Sequence, residues 1–241
     1  MRDGRDPDAL RPLALEVGTH RWAEGSADLT WGDTHVRATV TIDPGLPPHL
    51  RGGKHRSGWL TAEYALLPRA TTSRRPRERL YTGGRSQEIQ RLLGRALRAA
   101  WDLTALPKTT LILDVDVLQA DGGTRCAGVV AGFAALHDLA DRAVRDGRLS
   151  EWPLRHDVGA VSVGLLDGAM VTDLDYREDD AADLDLNVVA TADGHLIEVQ
   201  GGSERDPIDP ERYVALLGRG VAAVPRVLDA IRPALAGGGR R

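Results

Sequence analysis

Two short turns carry the residues best suited to holding an anion. Asp121-Gly122-Gly123-Thr124-Arg125 lies between an apolar alternating run and the start of a helical one. Two glycines let a backbone approach a ligand closely, the first N–H groups of a helix point outward unpaired, Thr124 offers a hydroxyl, and Arg125 a bidentate fork. Gly83-Gly84-Arg85 repeats the device at the start of another helical run. Arg85 and Arg125 can converge on one phosphate, the helix dipole adding a few tenths of a kcal/mol. The same residues also read as ordinary capped turns, with arginine paired to a neighbour such as Glu88.

A third segment has the opposite charge. Residues 173–187 (DLDYREDDAADLDLN) concentrate carboxylates around the start of a strand near Leu184. Alternation turns Leu184, Leu186 and Val188 toward a core and Asp185 and Asn187 to the opposite face, with Asp179 in the preceding loop. Carboxylates gathered this way repel unless a cation joins them, and oxygen donors without His or Cys suit Mg²⁺. A solvated acidic patch is the alternative. The histidines are scattered, and Cys126, the single cysteine, reads as a small buried residue. Residues 68–79 are basic, rich in hydroxyls and too broken by proline for a helix. Such a loop can grip several nucleic-acid phosphates or serve as a solvated or subunit contact.

The elements that must position these groups follow from apolar period. Residues 26–31 and 34–42 form a hairpin across Gly32-Asp33, and residues 59–67 form another strand. Residues 86–102 form an amphipathic helix with Arg91, Arg95 and Arg98 beside its apolar face. A strand over 109–118 leads through the glycine turn into a helix over 124–145, whose Ala127, Gly128, Ala131, Gly132, Ala134 and Ala135 permit close packing. Strands over 158–166 and 169–174, then 184–191 and 195–200, pair across Asp167-Gly168 and Asp193-Gly194. A last helix spans 210–231 with a bend at Pro225. The expected class is α+β, two related halves packed into one unit over residues 1–236, with 237–241 a disordered tail.

The 241 residues suffice for a core without metals or disulfides, and no apolar run is long enough to span a membrane. A lone cysteine and a charged start (MRDGRDPD) point to the cytoplasm. The net charge of -4 by itself points away from nucleic acid, since such binders are usually basic. The distribution says otherwise. Residues 51–100 hold twelve Lys/Arg against three Asp/Glu, and residues 167–211 hold fourteen Asp/Glu against two Arg. Opposite blocks of this size point to a site where the charges meet or to two surfaces with different partners.

Longer stretches carry a resemblance. They are Arg2-Asp3-Gly4-Arg5, residues 23–26 (AEGS), 61–64 (TAEY), 67–69 (LPR), 84–95 (GRSQEIQRLLGR), 116–125 (DVLQADGGTR) and 197–201 (IEVQG). In these the sequence resembles the bacterial ribonuclease PH family, phosphate-dependent exoribonucleases that trim tRNA 3′ ends. The resemblance implies the RNase PH-like α+β fold and a homo-hexamer built as a trimer of dimers. It implies that Arg85, Gly123, Thr124 and Arg125 bind inorganic phosphate as co-substrate, that Asp179 and Asp185 are the catalytic, Mg²⁺-binding pair, and that Arg69, Arg74 and Arg77 belong to a loop associated with tRNA. The implied partners are tRNA precursors and other structured RNA with free 3′ ends, not DNA and not membranes. Ser86 and Cys126 stand where threonine is usual, and residues 201–204 (GGSE) replace Gly-Thr-Ala-Glu, but no implied catalytic group is lost.

Overall fold

Alternating apolar residues build the first layer of the protein, whose computed structural model describes residues 2, 4–52, 56–77, 83–203 and 205–237. β1 (Leu13–Val17) pairs antiparallel with β2 (Gly25–Trp31), which turns into β3 (Thr34–Pro44) through Gly32-Asp33. β4 (Trp59–Leu66) and β5 (Thr109–Gln119) run parallel, joined through α1 (Gly84–Ala100), and complete a five-stranded sheet of order β1-β2-β3-β5-β4. After α2 (Thr124–Arg145) come β6 (Val158–Leu166), β7 (Ala169–Thr172), the six-residue α3 (Tyr176–Ala181), β8 (Leu184–Thr191) and β9 (Leu196–Ser203). These four strands form an antiparallel sheet of order β7-β6-β8-β9, and α4 (Pro210–Gly237) ends the described chain.

Helices α1 and α2 lie between the sheets. α2 packs on β2 and β3 of the first and on β6 of the second, α1 on β4 and β9, and α4 on β6 and β8. The small residues of α2 allow this closeness. A methyl on Gly132 would come within 2.7 Å of Leu97 and 2.9 Å of Leu113, and one on Gly25 within 2.2 Å of the Ala135 carbonyl. Phe133, Leu136 and Leu139 are fully buried in the resulting core, each contributing about 1.5–3 kcal/mol of transfer free energy.

The α+β class and the strand and helix order follow the apolar pattern, with four differences. β1 is an additional edge strand. Asp179 lies on α3 rather than in a loop, because Asp175 and Glu178 cap that short helix reciprocally. α4 continues through Pro225 to Gly237, because Val224, Val227, Leu228 and Ile231 on its buried side hold it against the sheet despite the missing N–H. Of the expected tail, Gly237 closes α4, and residues 238–241 lie outside the described residues, as do Glu78 and Arg79 of the basic loop.

Candidate active site

The two glycine turns open onto one cavity of about 660 Å³. Its lining includes Arg85, Glu88, Arg125, Asp179, Asp180, Asp185, Asn187, Gln200 and Arg205. Arg85 is the second residue of α1 and Arg125 the second of α2. Neither helix start has a side-chain cap hydrogen bond. The α2 cap residue, Gly123, takes φ +63°, a conformation that a Cβ would strain.

Thr124 is buried and does not line the cavity. Its hydroxyl accepts a hydrogen bond from Tyr64 Oη at 3.0 Å, which fixes the start of α2 to β4. Burial pushes the Tyr64 phenol above its ordinary range, so it stays a donor at neutral pH. One residue past Arg125, the Cys126 thiol donates to Asn187 Oδ1 at 3.3 Å and ties α2 to β8. Burial pushes this thiol strongly up, as the small-residue reading requires.

β8 and β9 supply the opposite wall. Leu184, Leu186 and Val188 are buried on one face of β8, Val188 against α4, while Asp185 and Asn187 take the face toward α2. Asp185 pairs with Gly202 and Asn187 with Gln200 across the ladder. Gly201 takes φ +135°, and a methyl on it would lie 2.0 Å from the Asp185 carbonyl oxygen, so only glycine permits the approach that places Asp185. Glu88 joins the walls. Its Oε1 accepts from Arg125 Nη2 at 3.2 Å and from Gln200 Nε2. The alternative reading of the turns paired an arginine with Glu88, and the structure shows that contact at Arg125.

The structure therefore brings Arg85, Arg125, Asp179 and Asp185 to one cavity and sets Gly123 and Thr124 just behind it. It does not bring Arg69, Arg74 or Arg77 there. They are exposed on the loop after β4, which is anchored by buried Ala70, by the Arg75 N–H to the Pro68 carbonyl at 2.8 Å, and by the Ala120 N–H to the Ala70 carbonyl at 2.8 Å. Alternation put Asn187 on the face of Asp185, and Asp180 fell within the acidic segment, but residue types did not single out Gln200 or Arg205. The Asn187 and Gln200 positions follow once β8 and β9 are paired in register.

Residues 9–140 match the first domain of the 3′ exoribonuclease family and residues 156–222 its second. The chain belongs to that 3′ exoribonuclease family. It is 53% identical over 236 residues to Ribonuclease PH of Deinococcus radiodurans, covering 98% of this chain and 95% of that one. It is 46% identical over 234 residues to Ribonuclease PH of Acaryochloris marina, covering 97% of each. The fold also matches the crystal structure of rice (Oryza sativa) Rrp46, with TM-score 0.78, 25% identity, and 98% and 100% of the two chains covered. An Archaeoglobus fulgidus exosome with RNA bound to the active site shares the fold with TM-score 0.79 and 24% identity, over 94% of this chain and 91% of that one. In this 3′ exoribonuclease family member, the family match takes in both sheets and the two glycine turns.

Proposed function

We propose that the chain is a phosphate-dependent 3′-to-5′ exoribonuclease that trims tRNA precursor 3′ ends. It releases nucleoside 5′-diphosphates and runs in reverse as nucleotide addition. One observation carries the reading: a single cavity gathers the arginines of two helix starts, Arg85 and Arg125, and the carboxylates Asp179 and Asp185. A hydrolytic nuclease has no need of a site for free inorganic phosphate.

In this reading Arg85, Arg125 and the N–H groups from Gly123 onward hold inorganic phosphate in line with the last internucleotide bond. Their work is positioning and charge neutralisation, since one anion must approach another. A phosphate oxygen attacks the phosphorus of that bond, the bond to the 3′-oxygen of the preceding nucleotide breaks, and that oxygen takes up a proton. The terminal nucleotide leaves as a diphosphate whose β-phosphorus came from solution. Of the two aspartates, Asp185, whose backbone Gly201 approaches closely, is the one this reading assigns to the proton at the 3′-oxygen.

The donor set fits Mg²⁺. Asp179 and Asp185 offer carboxylate oxygens without His or Cys in the lining. Among the described residues no group of three or more His, Cys, Asp or Glu is arranged for a metal, so a cation here would draw its other ligands from substrate phosphate and water, as Mg²⁺ commonly does. When bound, Mg²⁺ supplies neutralisation of the charge on the reacting phosphate oxygens.

The exposed loop carrying Arg69, Arg74 and Arg77 is assigned to the tRNA body through phosphate contacts, with salt-dependent affinity. We also propose a homo-hexamer, a trimer of dimers, acting in the cytoplasm. Among the described residues no helix is long and apolar enough to cross a membrane.

The test is incubation with a tRNA carrying extra 3′ nucleotides, with Mg²⁺, in the presence and absence of phosphate. Diphosphates released only with phosphate support the proposal; monophosphates in both, or no release, refute it.

A further inference from the structure

The carboxylate of Asp173, 1% exposed and at φ +60° just ahead of α3, is not part of the cavity lining yet is heavily engaged. Its Oδ2 accepts from the Arg11 backbone N–H at 2.5 Å and from Trp31 Nε1 at 2.9 Å. Its Oδ1 accepts from Arg11 Nη2 at 2.7 Å and Nε at 3.1 Å. Arg11 then reaches past Asp173, since its Nη1 donates to the carbonyl of Asp121, the first residue of the phosphate turn.

That turn and α3 touch directly. A methyl on Gly122 would lie 2.5 Å from the Asp175 carbonyl carbon, and one on Gly123 3.0 Å from Arg11 Nη2. A helix of six residues has little stability of its own, so its place depends on tertiary contacts. The N-terminal segment supplies them. Arg5 donates to Glu178 Oε2 at 2.5 Å and to the Asp173 carbonyl at 2.8 Å, and Arg2 pairs with Glu178 at 3.2 Å. Burial lowers the pKa of the Arg11 guanidinium, but the bonded Asp173 carboxylate together with the charges of Asp121 and Asp175 raises it by more, so the charge is retained.

We propose that Arg11 is a positioning residue for the reaction. By gripping Asp173 and the Asp121 carbonyl at once, it keeps the phosphate turn, and hence Arg125, in register with α3, which carries Asp179. Arg11 itself lies outside the lining of the active cavity. The inference rests on the phosphorolytic reading of that cavity. It requires arginine in particular, because a lysine ammonium is a single point donor and cannot span a carboxylate and a carbonyl with a planar fork.

The test compares kcat and the KM for inorganic phosphate in the full chain and three variants. Arg11→Lys is expected to raise that KM and lower kcat by about tenfold or more each, because displacements near 1 Å at a reacting site carry losses of this order. Trp31→Phe removes one bond to Asp173 and leaves some space where the buried indole stood, with an expected change in the two constants of about threefold to fivefold. Arg37→Lys, on the surface pair with Asp28, is expected to match wild type.

If Arg11→Lys and Trp31→Phe fold and both constants stay within about twofold of wild type, whatever the melting temperature, the role is structural and the proposal is overturned. If Arg11→Lys does not fold, Trp31→Phe decides alone by the same criterion. A wild type without phosphate-dependent diphosphate release would instead overturn the reading of the cavity, and this inference with it.

Discussion

Replacing Gly201 by alanine should damage the site at one identifiable point. The added methyl would stand 2.0 Å from the Asp185 carbonyl oxygen, whereas ordinary contact begins near 3.4 Å, so the two strands must separate by about 1.4 Å. The displaced backbone is that of Asp185 itself, on a strand pair that also carries Asn187 and Gln200. A shift of about 1 Å in a catalytic group commonly costs on the order of a hundredfold in rate, so kcat for diphosphate release should fall about that far. The φ of +135° adds strain of about 1–3 kcal/mol, which for a chain of this size lowers the melting temperature by about 2–12 °C. Single-turnover release of diphosphate from a 3′-extended tRNA, alongside thermal unfolding by circular dichroism, measures both. Gly218→Ala on the exposed side of α4, where a methyl meets nothing within 4 Å, should keep full activity and gain about 0.5–1 kcal/mol. A Gly201→Ala protein with wild-type kcat and melting temperature would refute the claim that this approach sets Asp185.

Other outcomes follow from single groups. Asp185→Asn should abolish phosphate-dependent release while leaving tRNA affinity largely intact in a filter-binding assay. Glu88→Gln removes the counter-charge on Arg125, an exposed pair of about 0.5 kcal/mol, so the KM for phosphate should fall roughly twofold; a rise would contradict the geometry. Cys126 is buried with its thiol pKa pushed up, so a thiol reagent at pH 8 should leave the native protein unlabelled and label it promptly in denaturant. Burial lowers the pKa of His137, packed against Phe133 and Trp152, below 6.5. The unfolded chain then binds more protons in the window just under 6.5, and stability is lost as pH falls through it. His137→Gln should accordingly show a smaller drop in melting temperature between pH 7.5 and 5.5 than wild type.

Periodic stretches were legible in the sequence. α2 begins at Thr124 and ends at Arg145 as its small and apolar residues indicate, and the β2/β3 hairpin turns at Gly32-Asp33. What was not legible lacked period or was too short. β1 has five residues, and α3 has only its Asp175/Glu178 cap as a signal, among charged residues with no apolar face. In the site, Arg85 and Arg125 could be named from type and turn context, whereas Asp179 and Asp185 were legible as members of an acidic segment and singled out as a pair by the family resemblance. Glu88 as the partner of Arg125, and the Asn187/Gln200 wall, depend on strand register and on the packing of α1 beside α2. The Arg11–Asp173 pair joins residues 162 positions apart, which no local pattern reports. Whole-chain charge misled because it averaged a basic block with an acidic one; the fold brings Arg85 of the first to Asp179 and Asp185 of the second and leaves Arg69, Arg74 and Arg77 exposed elsewhere.

The central claim is that inorganic phosphate, held by Arg85 and Arg125, is the attacking group. Labelling that phosphate with ³²P during trimming of an unlabelled 3′-extended tRNA tests it most directly. The account predicts that the label appears in the β-phosphate of the released nucleoside diphosphates and is lost in Arg125→Lys. Unlabelled nucleoside monophosphates as the product would contradict it.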